Sequence, residues 1–522
     1  MFNKKMGKKV VVALLTLSMV ATMCGCGKNN KKNNNATKEV TTEETTDTDN
    51  TKEETSTEET STASDKKTKI SIYRACFNIA APDTEEVKKV QDAINDYIGD
   101  KINVEVELHD ISSAEYRDKA NLALVGGEID LLWTASWQET IGCDDVVKQN
   151  AVYDITDMLP NYDIYTALPD WVWGSAAYSG KNYFVPVYKE SAEGYDIAFR
   201  KDLVDKYGWD ISSVKSIKDI EPMLADCKAE GLKYPYLTQR TAMFYRYYLD
   251  KFDFFSQDSF MAVDKEKNEV VNILETPEYK EFCTLMGDWA DKGYLHEDDL
   301  TKTTNDTTTQ SKDWGVTWWT DVPNNAEANV RWKQDAEMVK VTDNWLQSNG
   351  TLGSCYCISS KCSEAEADAC LKFLSLLYTD QTVANLYTFG IEGVDYNMED
   401  GAVAKVDGAG YNHSMWESTT VTVLPIEKGE PENKVQMYAD FNNGAKDSVA
   451  DGFRFDFSAV ETQYLACQQV FQEFGYVLEN GGYAAADVEA GIKGYQDALD
   501  AAGFQDVLAT AQQQYTDWLA VK

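Results

Sequence analysis

Between residues 69 and 133 the hydrophobic pattern switches period repeatedly, and this constrains the fold more than any other feature of the chain. KISIYRA (69–75) reads as a strand. In 83–99, Val87, Val90, Ile94, Tyr97 and Ile98 recur at i, i+3, i+7, i+10 and i+11, which predicts a helix. Asp83 and Glu86 resemble a capping box, and Gly99 is expected to end that helix. INVEVEL (102–108) predicts a second strand, 113–127 a helix closed by paired glycines, and EIDLLW (128–133) a third strand. Strands alternating with helices imply an α/β fold with a parallel sheet and right-handed crossovers. Ligands of such sheets sit beyond the carboxyl ends of the strands. Those ends carry Tyr73, Arg74, Trp133 and Trp137.

The N-terminus obeys other rules. Lys4, Lys5, Lys8 and Lys9 precede an apolar run at 10–20, whose 11 residues are too few to span a bilayer. This pattern predicts a secretory signal peptide over 1–25. Gly25 then Cys26, in MCGC, match a lipobox, so Cys26 is the expected site of lipidation; Cys24 follows a bulky methionine and fits less well. Two acyl chains suffice for stable anchoring. Residues 26–66 are rich in Thr, Glu and Asn and poor in apolar residues, which predicts a disordered acidic tether. About 40 such residues reach roughly 35 Å root-mean-square.

Composition narrows the partners. The net charge is −38, and removal of the four signal lysines leaves −42, which disfavours nucleic acid and anionic membrane surfaces. Eleven cysteines become nine once Cys24 and Cys26 are set aside, an odd number without close spacing and a poor disulfide framework. Cys355 and Cys357 alternate in a strand-like run and share a face, so they are not expected to bridge each other. No CxxC pair suggests zinc, and neither a metal nor a cofactor is expected.

The chain lacks G-x-S-x-G, H-E-x-x-H and a P-loop. His109, His296 and His413 read as surface or satisfied histidines. VDYNMEDG places Asp400 where a calcium loop needs glycine, and it predicts a hairpin turning at Asp400-Gly401. Paired carboxylates for glycoside hydrolysis remain an open alternative among 87 acids, and a receptor for peptide-like solutes would need a charge clamp built on residues such as Arg74 and Arg200. Aromatic residues are abundant, with 13 Trp and 29 Tyr, clustered in LLWTASW, DWVWGSAAY and DWGVTWWT. Adjacent Trp318 and Trp319 in a strand point to opposite faces. Flat indole faces suit the apolar face of a pyranose ring. Arg74, Trp133, Trp137, Tyr188, Glu190, Trp318 and Trp319 are the expected ligand contacts.

The lipobox, the acidic tether, the βαβαβ opening and DLLWTASW…AVYDITDML together resemble extracellular solute-binding lipoproteins of bacterial ABC sugar importers. SEAEADACLKFLSLLYTDQTVANLYTFGIEGVDY and the C-terminal FDFSAVETQYLACQQV…QQQYTDW resemble the family 1 type, LplA-like subgroup. The likeness covers most of residues 67–522; it departs at the core cysteines of SCYCISSKC and after Trp416. It implies a two-lobe periplasmic-binding-protein-like (type II) clamshell with C-terminal helices, one lobe from 67–190 plus 345–392 and the other from 191–344 plus 393–522. It further implies a monomer on the outer face of the cell membrane that captures an oligosaccharide between hinged lobes, delivers it to ABC permease subunits, and makes or breaks no bond.

Overall fold

The computed structural model describes residues 67–521 apart from 139, 179, 302–306, 348 and 349. The expected signal peptide, Cys26 and the tether lie outside the described residues. The alternation at the start folds as the periods require. Strand β1 (Thr68–Cys76) is followed by helix α1 (Thr84–Ile102), strand β2 (Val104–Ser112), helix α2 (Ser113–Gly126) and strand β3 (Leu131–Thr134). β1 pairs in parallel with both β2 and β3. Helix α1 buries Val87, Val90, Ile94 and Ile98 on the sheet, and the Asp83 side chain accepts from Glu85 N at its start. The helix runs past Gly99 and stops at Asn103, which adopts the left-handed conformation (φ 56°) in place of the expected glycine.

Two more strands, Cys355–Ile358 and Phe184–Pro186, complete a five-stranded sheet in the order β2, β1, β3, Cys355–Ile358, Phe184–Pro186. The helix Glu364–Thr379 covers it, opened by the Ser363/Glu366 capping box that the sequence predicts. A second sheet runs Ala336–Lys340, Tyr195–Arg200, Trp314–Thr320, Tyr234–Leu237. It has its own core, which also takes in Phe453 from the loop before the C-terminal helices and Tyr464, Phe471, Phe504 and Tyr515 from those helices. The two sheets and their helices form the two lobes of a periplasmic-binding-protein-like α/β fold.

The backbone passes between the lobes three times, and each passage forms a two-residue strand. Ala192–Glu193 pairs antiparallel with Trp345–Leu346, which pairs in parallel with Lys446–Asp447. The third passage corrects one expected boundary. Tyr396, Val403, Tyr411, Met415, Val421, Leu424 and Tyr438 pack in the first core, so the chain leaves that lobe near residue 440 rather than 393. The cause is the hairpin Tyr396–Glu399 and Ala402–Lys405, which turns at Asp400 and Gly401 and folds back onto the first core. Asn442 joins the first passage to the third. Its Oδ1 accepts from Ser191 N (2.7 Å) and Ala192 N (3.3 Å), and its Nδ2 donates to the Lys189 carbonyl (2.8 Å). Gly350 is required here, because a Cβ would lie 2.1 Å from the Ser191 carbonyl oxygen.

All nine cysteines of the described residues are buried and free. Cys143 Sγ and Cys355 Sγ lie 3.5 Å apart. Burial pushes the Cys76, Cys227 and Cys467 thiols up to about 12. These cysteines are small core side chains. Among the described residues, no helix is long and apolar enough to cross a membrane.

Candidate functional site

A cavity of about 1250 Å³ opens where the two lobes meet. It is larger than the several-hundred-Å³ pockets typical for drug-sized ligands. On the first lobe its wall is aromatic. Trp137 follows the end of β3 and is held by a hydrogen bond from its Nε1 to the Gly353 carbonyl (2.8 Å). It is 42% exposed. Trp416 lies beside it, with ring centroids 6.4 Å apart. Trp133 contacts both edge-on from below, at 6.0 and 6.2 Å, and Phe77 packs against all three indoles. The result is a rigid platform of two plates on a buried support.

On the second lobe, Trp318 and Trp319 come from the end of the strand Trp314–Thr320 and both line the cavity. As alternation in a strand requires, they pack on different sides. Trp318 packs against the main core of the lobe, and Trp319 against a smaller cluster, with Trp332 at 4.9 Å. The Trp318 Nε1 donates to the Thr238 carbonyl (3.1 Å), and the Arg246 guanidinium lies 3.9 Å from its ring centroid. This cation–π contact fixes one indole face and leaves the ring oriented. Gln239 and Arg240, at φ 58° and 47°, are consecutive non-glycine residues in the left-handed region. Such strain concentrates at functional sites. Gln239 Nε2 donates to Thr317 Oγ1 (3.0 Å), Arg240 Nε to the Leu300 carbonyl (3.0 Å), and Arg240 lines the cavity.

The charged groups of the cleft are largely tied to neighbours. Lys189 pairs with Glu190. Glu193 accepts from the Tyr195 and Tyr245 hydroxyls (2.6 and 2.7 Å), and burial together with Glu193 holds both phenols far above their usual range. Arg246 donates to the Ala242 carbonyl (2.6 Å). Burial, helped by the neighbouring Asp144, pushes Asp145 up to about 6. The cleft offers stacking surfaces beside polar groups, several of which are already paired with neighbours. One group of potential metal ligands, Asp130, Cys362 and Glu366 within 4.8 Å, is not among the residues lining the cleft. Glu366 already closes the capping box and Asp130 accepts from Ser71 N.

Of the seven expected contacts, Trp137, Glu190, Trp318 and Trp319 line the cavity, whereas Arg74, Trp133 and Tyr188 do not. Arg74 is 1% exposed and faces Asp110, its register partner on β2, with which it forms a salt bridge. It also donates to the Tyr387 carbonyl (2.7 Å) and stacks over that ring at 4.0 Å. His413 Nε2 completes the cluster, 2.8 Å from Asp110. A charge buried so deeply persists because every side of it is paired. Trp133 is wholly buried and donates to Ser354 Oγ (2.9 Å); it supports the plates without being one. Tyr188 is buried beside Trp171. Sequence reasoning missed Trp416, Arg240, Arg246 and the helical face that begins at Glu461. The departure after Trp416 hid the first. The period-four spacing of the last was legible but unused.

Known proteins are similar to this chain along most of its length. The sequence pattern of bacterial extracellular solute-binding proteins matches residues 92–404, and that of a domain of unknown function, DUF3502, matches 449–520. A carbohydrate ABC transporter substrate-binding protein of Streptococcus pneumoniae is 25% identical over 446 residues, 82% of this chain and 87% of that protein. The crystal structure of the N-glycan transport solute binding protein NgtS from Streptococcus pneumoniae, in complex with Man1GlcNAc, superimposes with a TM-score of 0.72 at 22% identity, over 87% of this chain and 100% of that one. FusA of S. pneumoniae, in complex with kestose, gives 0.57 at 13% identity, over 87% and 100%. With the cleft between two α/β lobes, these matches establish that the chain belongs to the bacterial extracellular solute-binding proteins.

Proposed function

We propose that the protein captures an oligosaccharide between its two lobes and delivers it, unaltered, to the permease of an ABC importer. The observation that carries this reading is the pair of indole walls, Trp137 and Trp416 on one lobe and Trp318 and Trp319 on the other, lining one large cavity. Indole faces stack on the C–H faces of sugar rings, while the surrounding amides, hydroxyls and carboxylates read their hydroxyl groups. The S. pneumoniae relatives named for carbohydrate and N-glycan transport support the same ligand class. In this reading residues 1–25 are removed, Cys26 carries the lipid, and 26–66 tether a monomeric receptor to the outer face of the membrane.

The test is a thermal-shift and calorimetry series on residues 67–522 with Man1GlcNAc, Man5GlcNAc and kestose. A ligand that binds only the folded state at a hundred times its Kd adds about 2.7 kcal/mol of stability. A saturable rise in Tm for at least one sugar, with the sugar recovered intact after overnight incubation, is expected. No response to any glycan, or release of shorter products, would overturn the proposal.

A further inference from the structure

We propose that the helical face running from Glu461 to Tyr476 is a second ligand-reading wall, which binds the far, uncharged units of an extended oligosaccharide. This gives a binding role to part of the segment matched by the domain of unknown function. It rests on the oligosaccharide reading above.

Four observations carry it. First, this face lines the cleft in alternating steps of three and one residues from 461 to 476, with Gln468, Gln469, Gln472 and Glu473 at its centre. From Leu465 to Tyr476 it is about 16 Å long, more than one sugar ring can cover.

Second, such a stripe drifts around a straight α-helix. Each step of four residues overshoots a turn by about 40°, so three steps would carry the row about 120° out of the cleft. The structure places a π turn at Phe471–Gly475, between the helices Glu461–Val470 and Tyr476–Glu479. A π turn takes up one extra residue, about 100° of rotation, and so returns the stripe to the cavity.

Third, a glycine makes room inside the π turn. A Cβ on Gly475 would lie 2.3 Å from Phe471 Cδ2, so the Phe471 ring occupies the space that only glycine leaves free.

Fourth, the chemistry of the wall is defined. Gln468 Nε2 donates to Asp258 Oδ2 (2.9 Å), and Gln469 Nε2 lies 3.3 Å from Glu473 Oε1. Amides both donate and accept, which suits hydroxyl and acetamido groups. Leu465, 49% exposed, adds an apolar patch. Glu473 and Asp258 accept from hydroxyls and repel anionic sugars, whereas Glu461 is paired with Lys148 (2.8 Å).

The experiment compares affinities for Man1GlcNAc and Man5GlcNAc by calorimetry, in the unmodified chain, a Gln469→Ala/Gln472→Ala variant and a Gly475→Ala variant. The unmodified chain is expected to bind the longer glycan more tightly. In the double variant the ratio of the two affinities should fall about tenfold, the effect of losing two ordinary hydrogen bonds. Gly475→Ala should lower the same ratio by turning the stripe. Ligand-free unfolding curves confirm that each variant is folded. Equal affinities for the two glycans in the unmodified chain, or a ratio unchanged in the double variant, would overturn the wall. Absence of binding to both glycans and to a wider neutral panel would instead overturn the oligosaccharide reading.

Discussion

Replacing Trp137 with alanine removes the most exposed plate of the first wall. An indole side chain presents about 250 Å², so the 42% left uncovered corresponds to roughly 105 Å² available to a ligand. At about 25 cal/mol per Å² the ceiling on its contribution is about 2.6 kcal/mol. A sugar ring covers one face of the indole, and half of the ceiling is about 1.3 kcal/mol. Trp137→Ala should therefore raise Kd between about tenfold and seventyfold. Some stability is lost as well, because the Nε1 bond to Gly353 and the edge contacts with Phe77, Trp133 and Trp416 disappear. The assay is calorimetry with the glycan that gives the largest thermal shift, run beside circular dichroism and a melting curve. Trp137→Phe keeps an aromatic face and should recover part of the affinity. A folded Trp137→Ala protein whose Kd lies within about twofold of the original would refute the reasoning, since a stacked plate cannot be removed without loss.

Asn442→Ala strips buried partners from the Ser191 and Ala192 N–H groups and the Lys189 carbonyl. It should cost about 2–4 kcal/mol, read as a lower urea midpoint at constant slope; an unchanged midpoint would mean the passages are not joined there. Glu479 is wholly buried, accepting from Phe244 N (3.1 Å) and Ser259 Oγ (2.8 Å), and burial pushes it up to about 7. Its folded pKa exceeds its unfolded one, so its contribution is complete below about pH 4.5 and is lost as pH rises through 7. Relative to Glu479→Gln, the unmodified chain should lose about 2.5 kcal/mol between pH 5 and 8.5; parallel Tm profiles for the two proteins would contradict this.

The fold was legible wherever one period persisted over a whole element. The strand–helix alternation of 69–133 and the Ser363 box each settle by local rules, and the elements form in the order read, with the first helix ending at Asn103 instead of Gly99. The site was harder to read because exposure is not local. Arg74 and Trp133 sit at strand ends as cleft residues do, but a cross-strand aspartate captures one and two other indoles roof the other. Nothing near residue 74 reveals that Asp110, Tyr387 and Tyr411 converge on it from 36, 313 and 337 residues away. Trp137 was legible because it lies past the end of β3, where the backbone has already left the sheet. The lobe boundary near 440 was missed because a short hairpin carries no signal of which core it will join.

The miniature sheet where the chain passes between lobes has a mechanical consequence. Three backbones laced side by side cannot slide or separate without breaking ladder bonds, yet they flex across their width through small torsions in a few residues. A strip this narrow bends and twists far more readily than it shears, so the lobes it joins rotate against each other more easily than they slide. Selectivity for a molecule held between the lobes can then reside in the two facing walls instead of in the strip.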